Sequence, residues 1–253
     1  MHRHHFAEGT TLPEAYHRAL CILENQGAVY PCPDYDTTMK EVGMTFFVER
    51  ADAEPFVSRL FCGGHYELQQ YKMEILDGIL DFKIGDDTCW EYTYHDRFVR
   101  QLPFLYEELR RNPDTRRAIM NIRDFDVDSH NSHPACLQSM QFLVRDGALH
   151  QMVMMRSNDA VQATFMNAFA FISLQRKIAG DLGYAVGSYT HTAHSFHAYE
   201  KSFDVLRKYV EDINTKPVDK LTYEYEGFYR DMMEESIPKI MDQVQRLREG
   251  MQK

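Results

Sequence analysis

Leu12, Tyr16, Ala19, Leu20 and Leu23 recur at three- and four-residue intervals, the spacing of one helix face, and predict a helix over residues 11–25. Thr10 or Thr11 can cap it, Pro13 suits its first turn and Gly27 stops it. Residues 39–48 read as a strand. Pro55 predicts a helix carrying Phe56, Leu60 and Phe61, and Gly63-Gly64 breaks the chain before a helical stretch over 66–76. Another helix is expected over 100–111, ending at Asn112-Pro113, because the residue before a proline disfavours helical backbone. A strand follows over 118–123. The clearest local feature is a hairpin: two β-type runs, 139–145 and 148–156, joined by Asp146-Gly147, a type I′ turn signal. A long apolar helix over 161–179, strands over 186–192 and 220–225, and an amphipathic helix over 235–247 complete the pattern. Strands and helices mix without regular βαβ alternation, which predicts an α+β fold with a mixed sheet, in a single domain spanning 1–253.

Composition narrows the function classes. A chain of 253 residues can bury one substantial core. Its apolar stretches fall well short of the roughly 20 residues that a membrane span needs, so no membrane is expected. Met1-His2-Arg3-His4-His5 leads into no apolar run, which argues against secretion. Cys21, Cys32, Cys62, Cys89 and Cys136 are odd in number and not closely paired, which suits reduced thiols and a cytoplasmic location. A net charge of −10 argues against a nucleic-acid polymer as partner. A small anion would need a local arginine cluster working against that field, and Arg116, Arg117 and Arg156 are the candidates.

Those arginines stand in register with a thiol. Cys136 lies in His133-Pro134-Ala135-Cys136-Leu137-Gln138-Ser139-Met140-Gln141-Phe142. Asn112-Pro113-Asp114-Thr115-Arg116-Arg117 precedes it, and Arg156-Ser157-Asn158-Asp159 follows it. Asn167 and the pair His197 and Tyr199 come next. A free cysteine is ordinarily a small buried hydrophobe, and a lone one proves little. A thiolate needs a nearby cation to lower its pKa, and the predicted hairpin brings Arg156 towards the segment after Cys136. Arginine's planar fork suits phosphate. A buried amide such as Asn167 must be paired, and its one acceptor and two donors complement the N3–H and O4 of uracil.

Five elements in this order and at these distances resemble thymidylate synthase and its relatives, the pyrimidine nucleotide hydroxymethylases. The spacing matches without a gap from about Arg100 to about Tyr199. The resemblance implies a sheet-packed homodimer and a reaction that carries a one-carbon unit from 5,10-methylenetetrahydrofolate to C5 of a pyrimidine nucleoside monophosphate. It implies that Cys136 adds to C6, Asn167 holds the base, and Glu67 manages protons and water. Arg156 and Ser157 would hold the phosphate of their own subunit, with Arg116 and Arg117 donated in trans to the partner's. His197 and Tyr199 would hold the sugar, and Asp159 the folate. An aspartate at the position of Asn167 goes with cytosine in the deoxycytidylate hydroxymethylases, so methylation of deoxyuridylate leads.

The alternatives are hydroxymethylation of a uridylate or cytidylate, with ribose or deoxyribose, and a noncatalytic nucleotide-binding relative. They arise where the chain departs from the common pattern. The usual arginine-bearing phosphate loop is replaced by a segment from Cys32 to Lys40, only one tryptophan (Trp90) is present, and Arg248 to Lys253 does not resemble the short apolar tail that folds over folate in that family. A zinc site built from His191, His194 and His197, or from His130 and His133 near Cys136, is disfavoured. Strand residues three apart point to opposite faces, and no Cys-x-x-Cys or His-Glu-x-x-His spacing supports a metal.

Overall fold

The computed structural model describes residues 2–85 and 90–251, so Cys89 lies outside the described residues. The chain runs through β1 (His4–Gly9), α1 (Leu12–Gln26), β2 (Ala28–Cys32), β3 (Thr37–Val48) and β4 (Val57–Ser58). Then come α2 (His65–Asp77), α3 (Tyr94–Val99), α4 (Leu102–Arg111), β5 (Ile119–Asn121) and the single turn α5 (Phe125–Asp128). The centre is built from β6 (Leu137–Arg145), β7 (Ala148–Asp159), α6 (Thr164–Leu182) and β8 (Ala185–Tyr199). The chain continues through α7 (Phe203–Thr215), β9 (Thr222–Tyr223), α8 (Arg230–Glu235) and α9 (Ile237–Gly250).

A mixed sheet in the order β1, β3, β8, β7, β6, β5 is flanked by helices. β1 and β2 share one edge of β3 end to end, β1 parallel to residues 43–48 and β2 antiparallel to residues 37–41. β7 runs parallel to β8, and β6 antiparallel to β7. The hairpin forms as its sequence dictates: Arg145 pairs with Ala148, and Asp146 and Gly147 both take the left-handed backbone that the turn needs. Helix α1 is capped by the Thr11 hydroxyl, which accepts from Glu14 N.

α6 has few polar positions because it is enclosed on nearly every side: Phe165, Ala168, Phe169, Phe171 and Ile172 are all buried. Each phenylalanine so placed stabilises the fold by about 1.5–3 kcal/mol. On the sheet, alternate side chains are buried, while Phe6, Ile119 and Met154 on the other phase stay exposed. The helices therefore cover one phase of the pleat, and the opposite face keeps an apolar surface.

Two local expectations differ from the structure. The helix expected after Pro55 does not form. Val57 and Ser58 pair with Tyr223 and Thr222 instead, and the Glu54 carboxylate ties the two segments together by accepting from Phe56 N, Tyr225 N and Glu226 N. The helix over 100–111 forms as α4, with a separate short helix, α3, before it. The strand over 220–225 keeps only its two paired residues, because β4, its partner, is only two residues long. The last helix, over 235–247, forms as α9, and α8 is a separate short helix before it.

Gly147 has open space around a Cβ, so only its backbone conformation opposes a side chain there. Gly147→Ala is expected to cost about 1–2 kcal/mol by urea denaturation. An unchanged midpoint would contradict the turn assignment.

Candidate active site

β7 and β8 position the site. Met155 pairs with Ala193, Ser157 with Ser195, Asn158 with Phe196 and Asp159 with His197. The alternation of buried and exposed residues slips on both strands just before these pairs, at Arg156–Ser157 and His194–Ser195. That slip turns Asn158 rather than Ser157 inward, as bulged strands commonly re-aim side chains at functional sites. A cleft of about 1030 Å³ opens there, lined by Cys136, Arg156, Ser157, Asp159, Asn167, His197 and Tyr199 among others.

Cys136 stands immediately before β6, and its carbonyl accepts from Arg156 N at 2.8 Å. The Arg156 guanidinium donates to the carbonyls of Ala135 at 3.2 Å and Pro134 at 2.7 Å, so it braces the turn that presents the thiol. Burial pushes the Cys136 thiol above its ordinary pKa, and the positive charge of Arg156 opposes that shift. Burial wins, so the thiol is held mainly in its neutral form.

Asn167 is buried and fully engaged on two sides. Its Oδ1 accepts from Asn158 Nδ2 at 2.9 Å, and its Nδ2 donates to the Tyr71 hydroxyl. Tyr71, Tyr92 and Tyr94 wall the cleft beside it. Burial raises the pKa of all three phenols, Tyr92 to about 12. All three stay protonated at neutral pH. The same three tyrosines and His133 also line an adjoining aromatic cavity of about 370 Å³, together with Ile75, Leu80 and Trp90.

His197 is buried, with Nδ1 near Ser195 Oγ and Ser195 O, while its Nε2 meets no partner among the described residues. Its ring lies 4.8 Å from that of Tyr199, edge to face, and Tyr199 packs on Tyr35 of the segment preceding β3. Asp159 Oδ1 accepts from Val161 N and Gln162 N, which shapes the turn into α6. These contacts put an unsatisfied imidazole nitrogen and a carboxylate on the same cleft.

Glu67 requires a correction. It does not line the cleft: its carboxylate accepts from Gly64 N at 2.8 Å and caps α2, beside a separate depression with His65, Tyr66 and Met232. A glutamate three residues into a helix after glycine is a capping residue first. The side chain that α2 sends into the cleft is Tyr71, one turn further on. Arg116 and Arg117 are exposed just before β5 and do not line their own cleft. Lys40, the cation of the Cys32–Lys40 segment, is bound to the Glu24 carboxylate at 2.6 Å, whereas Cys32, Asp34 and Tyr35 face the cleft. Among the described residues, Arg156 is thus the only arginine or lysine lining it. His191 is buried and His194 exposed, and among the described residues no three His, Cys, Asp or Glu side chains cluster to hold a metal.

The opposing effects on Cys136 give a direct test. Arg156→Ala removes the one charge that lowers the thiol's pKa, so the midpoint for iodoacetamide alkylation of the Cys136 peptide is expected to move to higher pH. A midpoint that stays in place or falls would show that Arg156 does not act on the thiol.

The thymidylate synthase family model matches residues 65–236, more than half of the chain. A relative from Methanocaldococcus jannaschii, bearing the name "Putative thymidylate synthase", is 37% identical over 155 residues, covering 58% of this chain and 69% of its own. Thymidylate synthase 1 of Bacillus spizizenii is 33% identical over 113 residues, 45% of this chain and 40% of that protein. Among solved structures, the thermostable thymidylate synthase A from Bacillus subtilis superposes with a TM-score of 0.67 over 80% of this chain and 84% of its own, at 20% identity, a likeness of fold. A cleft holding a thiol, an arginine, an asparagine and a His/Tyr pair, on a sheet of this topology, agrees with the sequence match, and the chain belongs to the thymidylate synthase family.

Proposed function

We propose that the protein transfers a one-carbon unit from 5,10-methylenetetrahydrofolate to C5 of a pyrimidine nucleoside monophosphate, with methylation of deoxyuridylate as the leading reaction. The observation that carries this reading is the convergence of Cys136, Arg156, Asn167 and His197 on one cleft although they lie far apart in sequence. Cys136 Sγ, once deprotonated, forms a bond to C6. The C5–C6 π pair moves towards C5 and O4, where an Asn167 N–H supports the negative charge on O4. Arg156 and Ser157 hold the phosphate, and His197 Nε2, left without a protein partner, takes the sugar hydroxyl together with Tyr199.

The residues fit a folate. Tyr71, Trp90, Tyr92 and Tyr94 form an aromatic slot that opens on the cleft and suits a flat ring system, and Asp159 Oδ2 meets no donor among the described residues. When bound, the folate supplies the one-carbon unit. From α2, Tyr71 and the Glu74 carboxylate line this slot, and the protonated Tyr71 phenol donates or relays a proton and does not abstract one at neutral pH.

The phosphate site calls for a second subunit. One arginine faces the cleft, two more are exposed at the end of an edge strand, and the uncovered sheet face carries Phe6, Ile119 and Met154. A homodimer packed through that face would bring Arg116 and Arg117 to the partner's phosphate. This arrangement serves a small anion on a chain of net charge −10 without requiring affinity for a nucleic-acid polymer.

Exchange of the C5 hydrogen of deoxyuridylate with solvent reports formation of the Sγ–C6 bond. Wild type is expected to catalyse it, and Cys136→Ala to lose it while still binding nucleotide. Failure of any pyrimidine nucleotide to bind would overturn the assignment. Mixing Cys136→Ala with Arg117→Ala protomers is expected to restore activity in one site of each heterodimer. A monomer at micromolar concentration would exclude the donation in trans.

A further inference from the structure

An unbroken chain of five hydrogen-bonded side chains runs from the cleft wall into the core. The Tyr189 hydroxyl meets His191 Nδ1 at 2.7 Å, and His191 Nε2 meets Asn158 Oδ1 at 2.9 Å. Asn158 Nδ2 donates to Asn167 Oδ1 at 2.9 Å, and Asn167 Nδ2 donates to the Tyr71 hydroxyl. Tyr189 and His191 are fully buried, and Asn158 and Asn167 are 4% and 5% exposed. His191 stacks on Phe46 with ring centroids 4.6 Å apart, so its ring is held in place. Burial alone pushes its pKa down to about 3, so it carries one ring proton at any physiological pH.

The donors and acceptors of this chain are ordered. Asn158 Oδ1 can only accept, so His191 donates from Nε2, and its Nδ1 accepts from Tyr189. Asn158 then has its Nδ2 turned to Asn167, which fixes Asn167 with Oδ1 on that side and Nδ2 towards Tyr71. An amide has two acceptor and two donor positions, and one of each is now taken. The remaining acceptor and donor face the base in a fixed order. Uracil presents a donor at N3 and an acceptor at O4, whereas cytosine presents an acceptor at N3 and a donor at its amine. Turning the Asn167 amide over would exchange its two free positions and so exchange the preferred base.

We propose that Asn158, held by His191 and Tyr189, is a positioning residue that locks the orientation of the Asn167 amide and thereby sets the choice between uracil and cytosine. The proposal rests on the reading of Asn167 as the base-binding residue. Asn158 is a nearly buried part of the cleft wall and His191 lies wholly behind it. Their effect passes through one hydrogen bond, and it explains why an apolar core admits four polar side chains in a row: each is satisfied only while the others keep their orientation.

Asn158→Asp tests the lock because it inverts it. A carboxylate has no N–H for Asn167 Oδ1, so it accepts from Asn167 Nδ2, and the amide turns over with Oδ1 towards the Tyr71 O–H. The second carboxylate oxygen still accepts from His191 Nε2. Calorimetric dissociation constants for deoxyuridylate and deoxycytidylate give the readout, with thermal melting to confirm folding. Wild type is expected to favour deoxyuridylate by about ten- to a hundred-fold, the scale set by mispaired buried groups. Asn158→Asp is expected to reverse that ratio, and Asn158→Leu, of similar volume but without polar atoms, to bring it within about three-fold of one. A merely structural role would weaken both nucleotides equally and leave the ratio alone, and that result in a folded variant overturns the proposal. If Asn158→Asp does not fold, a wild-type ratio in Asn158→Leu overturns it instead. If wild type binds neither nucleotide, the proposed function falls as well. If wild type discriminates and the variants do not alter that, only the lock falls.

Discussion

Parallel pairing of β7 with β8 sets Ser157 beside Ser195, Asn158 beside Phe196 and Asp159 beside His197. The segment that would carry phosphate and folate contacts is thereby placed next to the segment that would carry sugar contacts. The antiparallel hairpin on the other edge of β7 adds the thiol, through Leu137 opposite Met155 and the bond from Arg156 N to Cys136 O. One strand, flanked on both sides, assembles the cleft. A slip of one residue in either pairing would turn every side chain to the opposite face. The core behind β7 and β8, with α6 packed on it, resists such a slip.

Electrostatics in the cleft are finely balanced. Burial disfavours the Cys136 thiolate, and a single arginine, committed to two backbone carbonyls, works against it. Lys40 is spent on Glu24, and Asp34 faces the cleft. Arginines donated by a second subunit, as proposed, would add positive charge where the chain itself supplies little, and so tie thiol activation to assembly.

Much of this was legible in the sequence because its signals are local or have fixed spacing. Thr11, Pro13 and Gly27 delimit α1, Asp146-Gly147 defines the hairpin, and the intervals from Cys136 to Tyr199 pick out residues that the fold brings together. Glu67 was misleading because its local capping role and the expected proton-handling role call for the same residue type on the same helix. Only the packing of α2 on α6 shows that position 71 faces the cleft. Asn158 and His191 were hidden because their partnership spans two strands and depends on a break in alternation that no residue type announces. The strands β1 and β2 lie on a sheet edge, where exposure blurs the pattern. Helix α7 was also absent from the expected elements, although Phe203, Leu206, Val210 and Ile213 carry helical spacing.

The central claim is that Cys136 makes C5 of a uracil nucleotide reactive towards a one-carbon unit. Mass spectrometry of the products formed from deoxyuridylate, uridylate, deoxycytidylate and cytidylate, with 5,10-methylenetetrahydrofolate, tests it directly. The account predicts a deoxyuridylate product heavier by one methyl group, formed by wild type and absent with Cys136→Ala. A hydroxymethyl product would move the protein to the hydroxymethylase branch, and equal turnover of cytidylates would refute the role of Asn167. Absence of any product from all four nucleotides would contradict the account.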